Sequence, residues 1–566
     1  MKLRRLTINN FRGIKHLDWK ISNDMICLIG AGDSTKTTIL DAIEILLSPR
    51  WYIPFNDLDF YQSDPENPIE IRAIITNLPN KLIQEDKFGL FLCFWNSQDF
   101  EHEEEKDGDE LGLVIKLRVD ESLEPQWSVL SIQTDNEKNI SSSDRELLGV
   151  SQIGAYVDRD LSWGRNSILM RLTGKNRIEE VPSLLAKASR NARLAIQNAN
   201  FDQLLPTVQD VERAGKLFGV IPKNKFRPGM DPLGINLNIG AITLLDGNIP
   251  LRSAGLGSRR LLVSAIQKEC SSESAIILID EIENGLEPFR LRNLIRYLRP
   301  SNSDNYQCLV TTHSDISIVE FEANEIFVVL SNEGVTTVSQ IDIELQDIVR
   351  RIPEAFLARK IIVCEGKTEW GVCRAMDDFW QFSSKIPFAC LGIEPICSST
   401  SGGSESPKYA LALAKLGYKV VYFGDSDVPV NSKEMESLNI KVILWSDNKN
   451  IENRLCIDIP IEGLQKIIEL AIDISEDENK IWNDIKIQTS YLEQEFENNI
   501  FWLLEIKKES EVRKIIGNAA NKGKWFKSME KGYRLGKFIT EYYEELSSED
   551  IGIKLNVLQE WCYADH

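Results

Sequence analysis

The chain lacks what a zinc protein needs. Among its 566 residues there are four His, and none of the ten Cys falls in a Cys-x-x-Cys pair. Zinc ribbons and fingers need thiolate or imidazole ligands paired at short spacing, so they are excluded. Scattered Cys in a chain this size read as small buried hydrophobes in a reducing compartment. No apolar run is long enough to span a bilayer, and the start, MKLRRLTINNFRG, carries no apolar signal core. A soluble, cytoplasmic protein is the expectation. Positive charge is also short: 65 Lys and Arg face 86 Asp and Glu, a formal net charge of −21. A polycation that coats nucleic acid passively is excluded. A nucleic-acid enzyme is not, because a local basic channel or a bound metal offsets the global sign. Sustained heptads are missing too, so long coiled-coil arms are not expected.

What is present is ordinary globular composition, 43% hydrophobic and 27% charged. Four apolar runs each end in polar, chemically useful residues. They are Met25–Ile29 before GAGDSTKTT, Ile276–Ile279 before Asp280 and Glu281, Ile361–Cys364 before Glu365, and Val420–Phe423 before GDSD. Short β-rich runs ending this way mark parallel strands whose C-terminal ends carry ligands, which makes the fold class α/β. Residues 68–135 read instead as an antiparallel β meander, with Glu101–Glu110 as a solvated hairpin loop. Residues 178–219 read as a helical insertion. The main domain boundary falls near 340–357, around Pro353, and beyond about 460 the pattern is mostly helical and charged.

GAGDSTKTT at 30–38 follows a strand and opens a helix. That context suits a P-loop: backbone N–H groups cradle phosphates, a Lys reaches the β and γ oxygens, and a hydroxyl holds Mg²⁺. Gly30, Gly32, Asp33, Ser34, Thr35, Lys36, Thr37 and Thr38 are the candidates. The pattern departs from G-x-x-x-x-G-K-[ST] at Thr35, where a second Gly belongs. A β-branched residue there distorts the loop or slows turnover. Asp280 and Glu281 at a strand end suit Mg²⁺ support and polarisation of an attacking water; a capped strand end is the plainer alternative. His313 follows the apolar run Cys308–Val310. Ser253, Gly255 and Gly257 lie in a Ser/Gly-rich helix start that suits an anion, with Arg259 and Arg260 reinforcing it; a flexible loop is the alternative.

These residues carry a resemblance. LTINNFRGI at 6–14, the 253–260 segment, DEIENGLEP at 280–288 and TTHS at 311–314 resemble the first strand, signature motif, Walker B with D-loop, and switch His of ATP-binding-cassette ATPases of the SMC and RecF type. The resemblance implies ATP sandwiched between two heads, with the Ser253 loop of one facing the Lys36 loop of the other, and hence a homodimer or higher homo-oligomer.

A second constellation follows. Glu365 and Glu369 lie four residues apart after a strand, and Asp425 and Asp427 lie two apart after another. Hard divalent cations need oxygen ligands, and three or four converging carboxylates suffice for Mg²⁺. A lone D-x-D is common in loops; both elements in this order are not. The pairing resembles the TOPRIM fold. An ATPase head followed by TOPRIM resembles the overcoming-lysogenization-defect (OLD) nuclease family, which includes the nuclease subunit of Gabija anti-phage systems and retron-associated effectors. The resemblance implies metal ligation by Glu365, Glu369, Asp425, Asp427 and, as the best match for a further acidic position, Glu452. It also implies a transition-state Lys near the C-terminus, for which Lys527 is preferred over Lys524, although both would suit a solvated basic face. Gly402–Ser404 suits a phosphate-contacting loop or a simple turn.

The expected architecture is an ABC-type ATPase head over 1–350, with the β meander and a helical dimerisation insertion at 178–219. A TOPRIM α/β domain with C-terminal helices follows over 356–566. The expected function is a DNA endonuclease that binds ATP and uses Mg²⁺ or Mn²⁺, in anti-phage defence. Glu365 and Lys527 would act in cleavage, and Glu281 in slow ATP hydrolysis. The resemblance allows a partner helicase, or a retron reverse transcriptase with its RNA–DNA product. The rival reading is an ATP-dependent DNA sensor or clamp with an inactive TOPRIM site, acting through a partner.

Overall fold

The computed structural model describes residues 1–96, 100–102, 108–132, 134, 136–148, 150–153, 158–164, 167–173, 181–197, 202–217, 224–226, 241–270, 276–301, 306–383, 385–397, 405–426, 431–489 and 496–564. The chain forms two compact units. The first comprises Met1–Asn9, Lys20–Met25 and Leu40–Thr311; the second comprises Asn10–Trp19, Ile26–Ile39 and Thr312–His566. The boundary read near 340–357 falls inside the second unit, at the helix Gln346–Arg351 and the 3₁₀ turn Pro353–Leu357.

In the first unit, Ile276–Ile279 pairs in parallel with Val150–Ile153 on one side and Gln307–Thr311 on the other. The middle strand is apolar on both faces and fully buried, as a covered parallel strand must be. The same unit holds an antiparallel layer: Lys2–Phe11 pairs with Ile69–Thr76, which pairs with Glu110–Val119. The opposite edge of Glu110–Val119 is shared by Leu92–Asn96 and Gln126–Leu130. The order is therefore not the simple meander expected, because Glu110–Val119 takes the centre and offers both edges. Glu101 and His102 are not loop residues but strand partners of Trp95 and Phe94. Nor is Glu110 solvated: Arg4 Nε donates to it at 2.8 Å and Thr76 Oγ1 at 2.5 Å. The insertion is helical, with helices Val181–Gln197 and Leu205–Leu217.

In the second unit, Met25–Ile29 runs parallel to Ile326–Asn332, which turns through Glu333 and Gly334 into the antiparallel Val335–Gln340. Both turn residues have positive φ, +49° and +82°, the twist a two-residue hairpin needs. Further along lies a four-stranded parallel sheet in the order Ile393–Cys397, Lys360–Cys364, Lys419–Gly424, Lys441–Leu444. Its core joins Val421, Phe423 and Trp445 to helices that follow, through Leu455, Ile467, Ile516, Phe526 and Leu535. Among the described residues no helix is long and apolar enough to cross a membrane.

Candidate functional site

The phosphate-cradle segment lies in the second unit. Strand Met25–Ile29 ends at Gly30, whose φ is +144° and whose added Cβ would stand 2.5 Å from the Val329 carbonyl oxygen, so only Gly fits. The loop closes at Lys36, the first residue of helix Lys36–Leu47. Lys36 Nζ donates to the carbonyls of Gly30 (3.0 Å) and Ala31 (2.8 Å) and to Ser34 Oγ (3.0 Å). Asp33 and Thr35 both have positive φ, +61° and +66°. A β-branched residue in the left-handed region is a true outlier. Thr35 is held there: its Oγ1 lies 3.2 Å from Thr336 Oγ1, and its methyl fits beside Gly13, where a Cβ would stand 3.1 Å away. The loop thus turns through left-handed residues at Asp33 and Thr35 without the second Gly. Gly32, Asp33 and Thr37 are exposed, with open space around Gly32. His313 is exposed in the turn after Thr312, whose N–H donates to Leu28 O at 3.3 Å, two residues before Gly30.

The strand-end carboxylates belong to the first unit. Asp280 Oδ1 accepts from Thr311 Oγ1 at 2.6 Å, and the same hydroxyl oxygen accepts from Glu281 N at 2.8 Å. Glu281 is exposed, with φ of +47°. Arg260 corrects an expectation: it is buried, and its guanidinium donates to the carbonyls of Asp280 (2.8 Å) and Glu281 (2.9 Å). It braces the strand end through these two carbonyls. Gly257 needs its bare Cα, since a Cβ would collide with the Gly285 carbonyl. The signature helix Leu256–Cys270 therefore packs directly on the 281–286 turn, and Ser253 and Gly255 stay exposed ahead of it.

The acidic constellation lies wholly in the second unit. Strands Lys360–Cys364 and Lys419–Gly424 are parallel neighbours with Cys364 opposite Phe423, so Glu365 and Asp425 leave the sheet side by side. Glu365 Oε2 accepts from Asp425 N at 2.7 Å. Gly424 makes room: a Cβ there would stand 2.6 Å from Glu365 Cβ. Helix Lys367–Phe382 begins at once and buries Glu369 in its first turn, where Oε2 accepts from Gly366 N at 3.1 Å. Asp425 Oδ1 accepts from Ile451 N at 3.0 Å, at the start of helix Ile451–Asp458, and so fixes Glu452 in that helix's first turn. Glu452 is 0% exposed. Lys527 Nζ lies 3.4 Å from Glu452 Oε1.

Burial, then the neighbouring carboxylates, push Glu369 up to about 7 and Asp425 up to about 10. For Lys527 burial alone would lower the value, but Glu452, Glu369 and Asp425 outweigh it and raise it to about 12. These groups share one field. Glu369 Oε1 and Glu452 Oε2 are buried with no hydrogen-bond donor, while Glu452 Oε1 faces the Lys527 ammonium at 3.4 Å. Buried carboxylate oxygens without donors are costly unless a cation serves them, and an all-oxygen donor set is the kind a hard divalent ion takes. Among the described residues no three acidic, His or Cys side chains close around a single point. Asp427 and Gly402–Ser404 lie outside the described residues. Lys524, at φ +55°, is exposed and makes no contact that brings it to this cluster.

Sequence reading missed the devices that bring Lys527 here. Helix Met529–Glu541 lies against Lys367–Phe382 backbone to backbone. A Cβ on Gly371 would stand 2.5 Å from Met529 O, and one on Gly532 2.7 Å from Thr368 O. Thr368 Oγ1 donates to Phe526 O at 3.1 Å, one residue before Lys527. Glycines four residues apart on a helix, at 532 and 536, were the available signal.

Comparison with known proteins supports an ATPase assignment. Residues 1–147 match a family model described as "AAA ATPase domain", and 154–320 match one described as "AAA domain, putative AbiEii toxin, Type IV TA system". The DNA replication and repair protein RecF of Oenococcus oeni is 23% identical over 56% of this chain and 93% of its own length. Among solved structures, an SMC head bound to the C-winged helix domain of ScpA is 17% identical over 61% of this chain and 99% of that chain, with a TM-score of 0.35. The structure of the recombination mediator RecF with ATP is 11% identical over 59% and 97%, with a TM-score of 0.34. Overlap that slight leaves the fold to be argued from the strand pairings above. Residues 1–147 and 154–320 are thus similar to ATPase domains of the AAA type.

Proposed function

We propose that the chain is an ATP-binding, divalent-metal-dependent DNA endonuclease whose cleavage centre is the Glu365, Glu369, Asp425, Glu452 and Lys527 cluster. One observation carries this reading: two buried carboxylate oxygens, Glu369 Oε1 and Glu452 Oε2, have no hydrogen-bond donor, in a cluster where Asp425 is also buried and Lys527 pairs with Glu452 Oε1. A hydrophobic core gains nothing from such an arrangement, since each uncompensated charge costs several kcal/mol, of order. Divalent ions there, Mg²⁺ or Mn²⁺, supply an activated water and neutralise the scissile phosphate. Glu365, Glu369, Asp425 and Glu452 are the ligands, with Asp427 as a further one. Lys527, held within reach by the helix pair, places a fixed positive charge where the phosphate gains negative charge. In the second unit Lys36 and Thr37 are the proposed contacts to the nucleotide's phosphates and its metal; in the first unit Asp280 and Glu281 are proposed for metal support and for orienting the hydrolytic water. The RecF name supports DNA as the substrate class. Across a dimer of heads, Ser253, Gly255 and Gly257 meet the partner's nucleotide, and ATP sets whether DNA reaches the acidic cluster. Anti-phage defence, alone or beside a helicase or a reverse transcriptase, is the setting that suits an ATP-gated nuclease.

A sensor with a dead site is the second reading, favoured by the Lys527–Glu452 ion pair already filling the cluster. Supercoiled plasmid separates the two. Nicked or linear product with Mg²⁺ or Mn²⁺, lost in Glu365→Ala, is the expected result. No product from wild type at any metal or ATP concentration contradicts the nuclease.

A further inference from the structure

The fold leaves the hydroxyl of Tyr422 without a partner. The side chain is 0% exposed, and its OH makes no hydrogen bond. A buried hydroxyl left unpaired is a net cost, and Phe would fill the same volume without it. Packing accounts for the ring and not for the oxygen.

The sheet fixes where that oxygen lies. Tyr422 stands opposite Val363 in the parallel pair of strands Lys419–Gly424 and Lys360–Cys364. The ladder runs on past the strand end, with Glu365 N donating to Phe423 O at 2.9 Å. Side chains two residues apart point to one side, so Tyr422 and Gly424 share a face with Val363 and Glu365. Gly424 puts no side chain between the phenol and the carboxylate. The point its Cβ would occupy is 2.8 Å from Glu365 Oε2 and 3.4 Å from Tyr422 OH. The hydroxyl therefore reaches the acidic cluster at its Glu365 corner. Burial, then the charges of Glu365, Glu369 and Asp425, push its pKa up, so it keeps its proton and stays a donor. Glu365 is already anchored by others: Ser406 Oγ donates to its carbonyl at 2.9 Å, and Asp425 N donates to Oε2 at 2.7 Å.

We propose that Tyr422 is a positioning residue of the cleavage centre: its hydroxyl donates to the Glu365 carboxylate when the cluster holds divalent ions, and is idle when it does not. A carboxylate that binds an ion is itself held by outer hydrogen bonds, which set its orientation and strengthen its hold. The inference rests on the metal-centre reading of the cluster and adds to it a side chain that is no ligand.

The test is Mn²⁺ binding by calorimetry on the full nucleotide-free chain, beside melting curves with and without Mn²⁺, for wild type and Tyr422→Phe. Without metal, Tyr422→Phe is expected to melt at or above wild type, because it removes an unpaired hydroxyl. It is expected to bind the same number of ions roughly tenfold or more weakly, the usual loss when an outer partner of a ligand is removed. Its melting temperature should accordingly rise less with Mn²⁺ than that of wild type. A fall in melting temperature that is equal with and without Mn²⁺ would assign the hydroxyl to folding and overturn the role. Mn²⁺ uptake by wild type with equal affinity in Tyr422→Phe overturns this inference and leaves the cleavage centre standing. No uptake by wild type overturns both.

Discussion

Thr35 holds a left-handed backbone at φ +66°, a conformation that costs a β-branched residue about 1–2 kcal/mol. The sequence marks this position as a departure from the phosphate-loop pattern. It does not reveal the remedy, because Thr336 lies 301 residues away and the methyl's neighbour is Gly13. A loop fixed by a hydroxyl pair is stiff, which suits a nucleotide that is held longer than it is hydrolysed. Thr35→Gly removes the strain and the tether together. It is expected to raise ATP turnover severalfold in a phosphate-release assay; equal or slower release would contradict the tether's role. Asp425 offers a second test. Its carboxyl is driven up to about 10 by burial and then by Glu369 and Glu365, which favours the protonated form where no metal is bound. Asp425→Asn therefore leaves metal-free melting close to wild type while removing the rise in melting temperature that Mn²⁺ gives wild type. A mutant that still gains stability with Mn²⁺ would show that Asp425 is not a ligand.

Helices and strands divide into those the sequence announces and those it hides. The strand ends at Gly30, Asp280, Glu365 and Asp425 were legible because buried parallel strands read as apolar runs that stop at a polar residue. The order of the antiparallel layer was not, because pairing Glu110–Val119 with three other strands depends on registers that no local pattern fixes. The Lys527 loop was legible as basic residues only; its place depends on the glycine contacts between two helices distant in the chain. Gly532→Ala sets a modest gain in helix propensity against overpacking, which costs about 1–3 kcal/mol and wins here. It is expected to lower the melting temperature and to cut DNA cleavage more than ATP hydrolysis. Equal loss of both activities would mean the contact matters only for stability.

Glu110 gives a pH test for the antiparallel layer. Burial raises its carboxyl, but the Arg4 and Thr76 bonds outweigh that and leave it below the usual range. A depressed folded value gives stability that is present above the ordinary carboxylate pKa and fades as pH falls through the lowered one. Glu110→Gln should therefore melt below wild type at neutral pH, with the gap closing in acid. A gap that does not change with pH would assign the effect to packing.

For the whole molecule, the −21 net charge and a DNA substrate are reconciled only if cations fill the acidic cluster before the strand arrives. On the proposed reading the two activities stand on separate groups: Lys36 and Thr37 for the nucleotide, the Glu365 cluster for the phosphodiester. Lys36→Ala is expected to abolish ATP binding and to change the rate of plasmid cleavage while leaving Mn²⁺ affinity intact. The most direct measurement is a calorimetric titration of the nucleotide-free chain with Mn²⁺, beside Glu365→Ala. Wild type should take up about two ions per chain, the stoichiometry of a two-metal centre, and the variant should lose that uptake. Absence of uptake in wild type, or uptake that survives Glu365→Ala, would contradict a metal-dependent cleavage centre at Glu365.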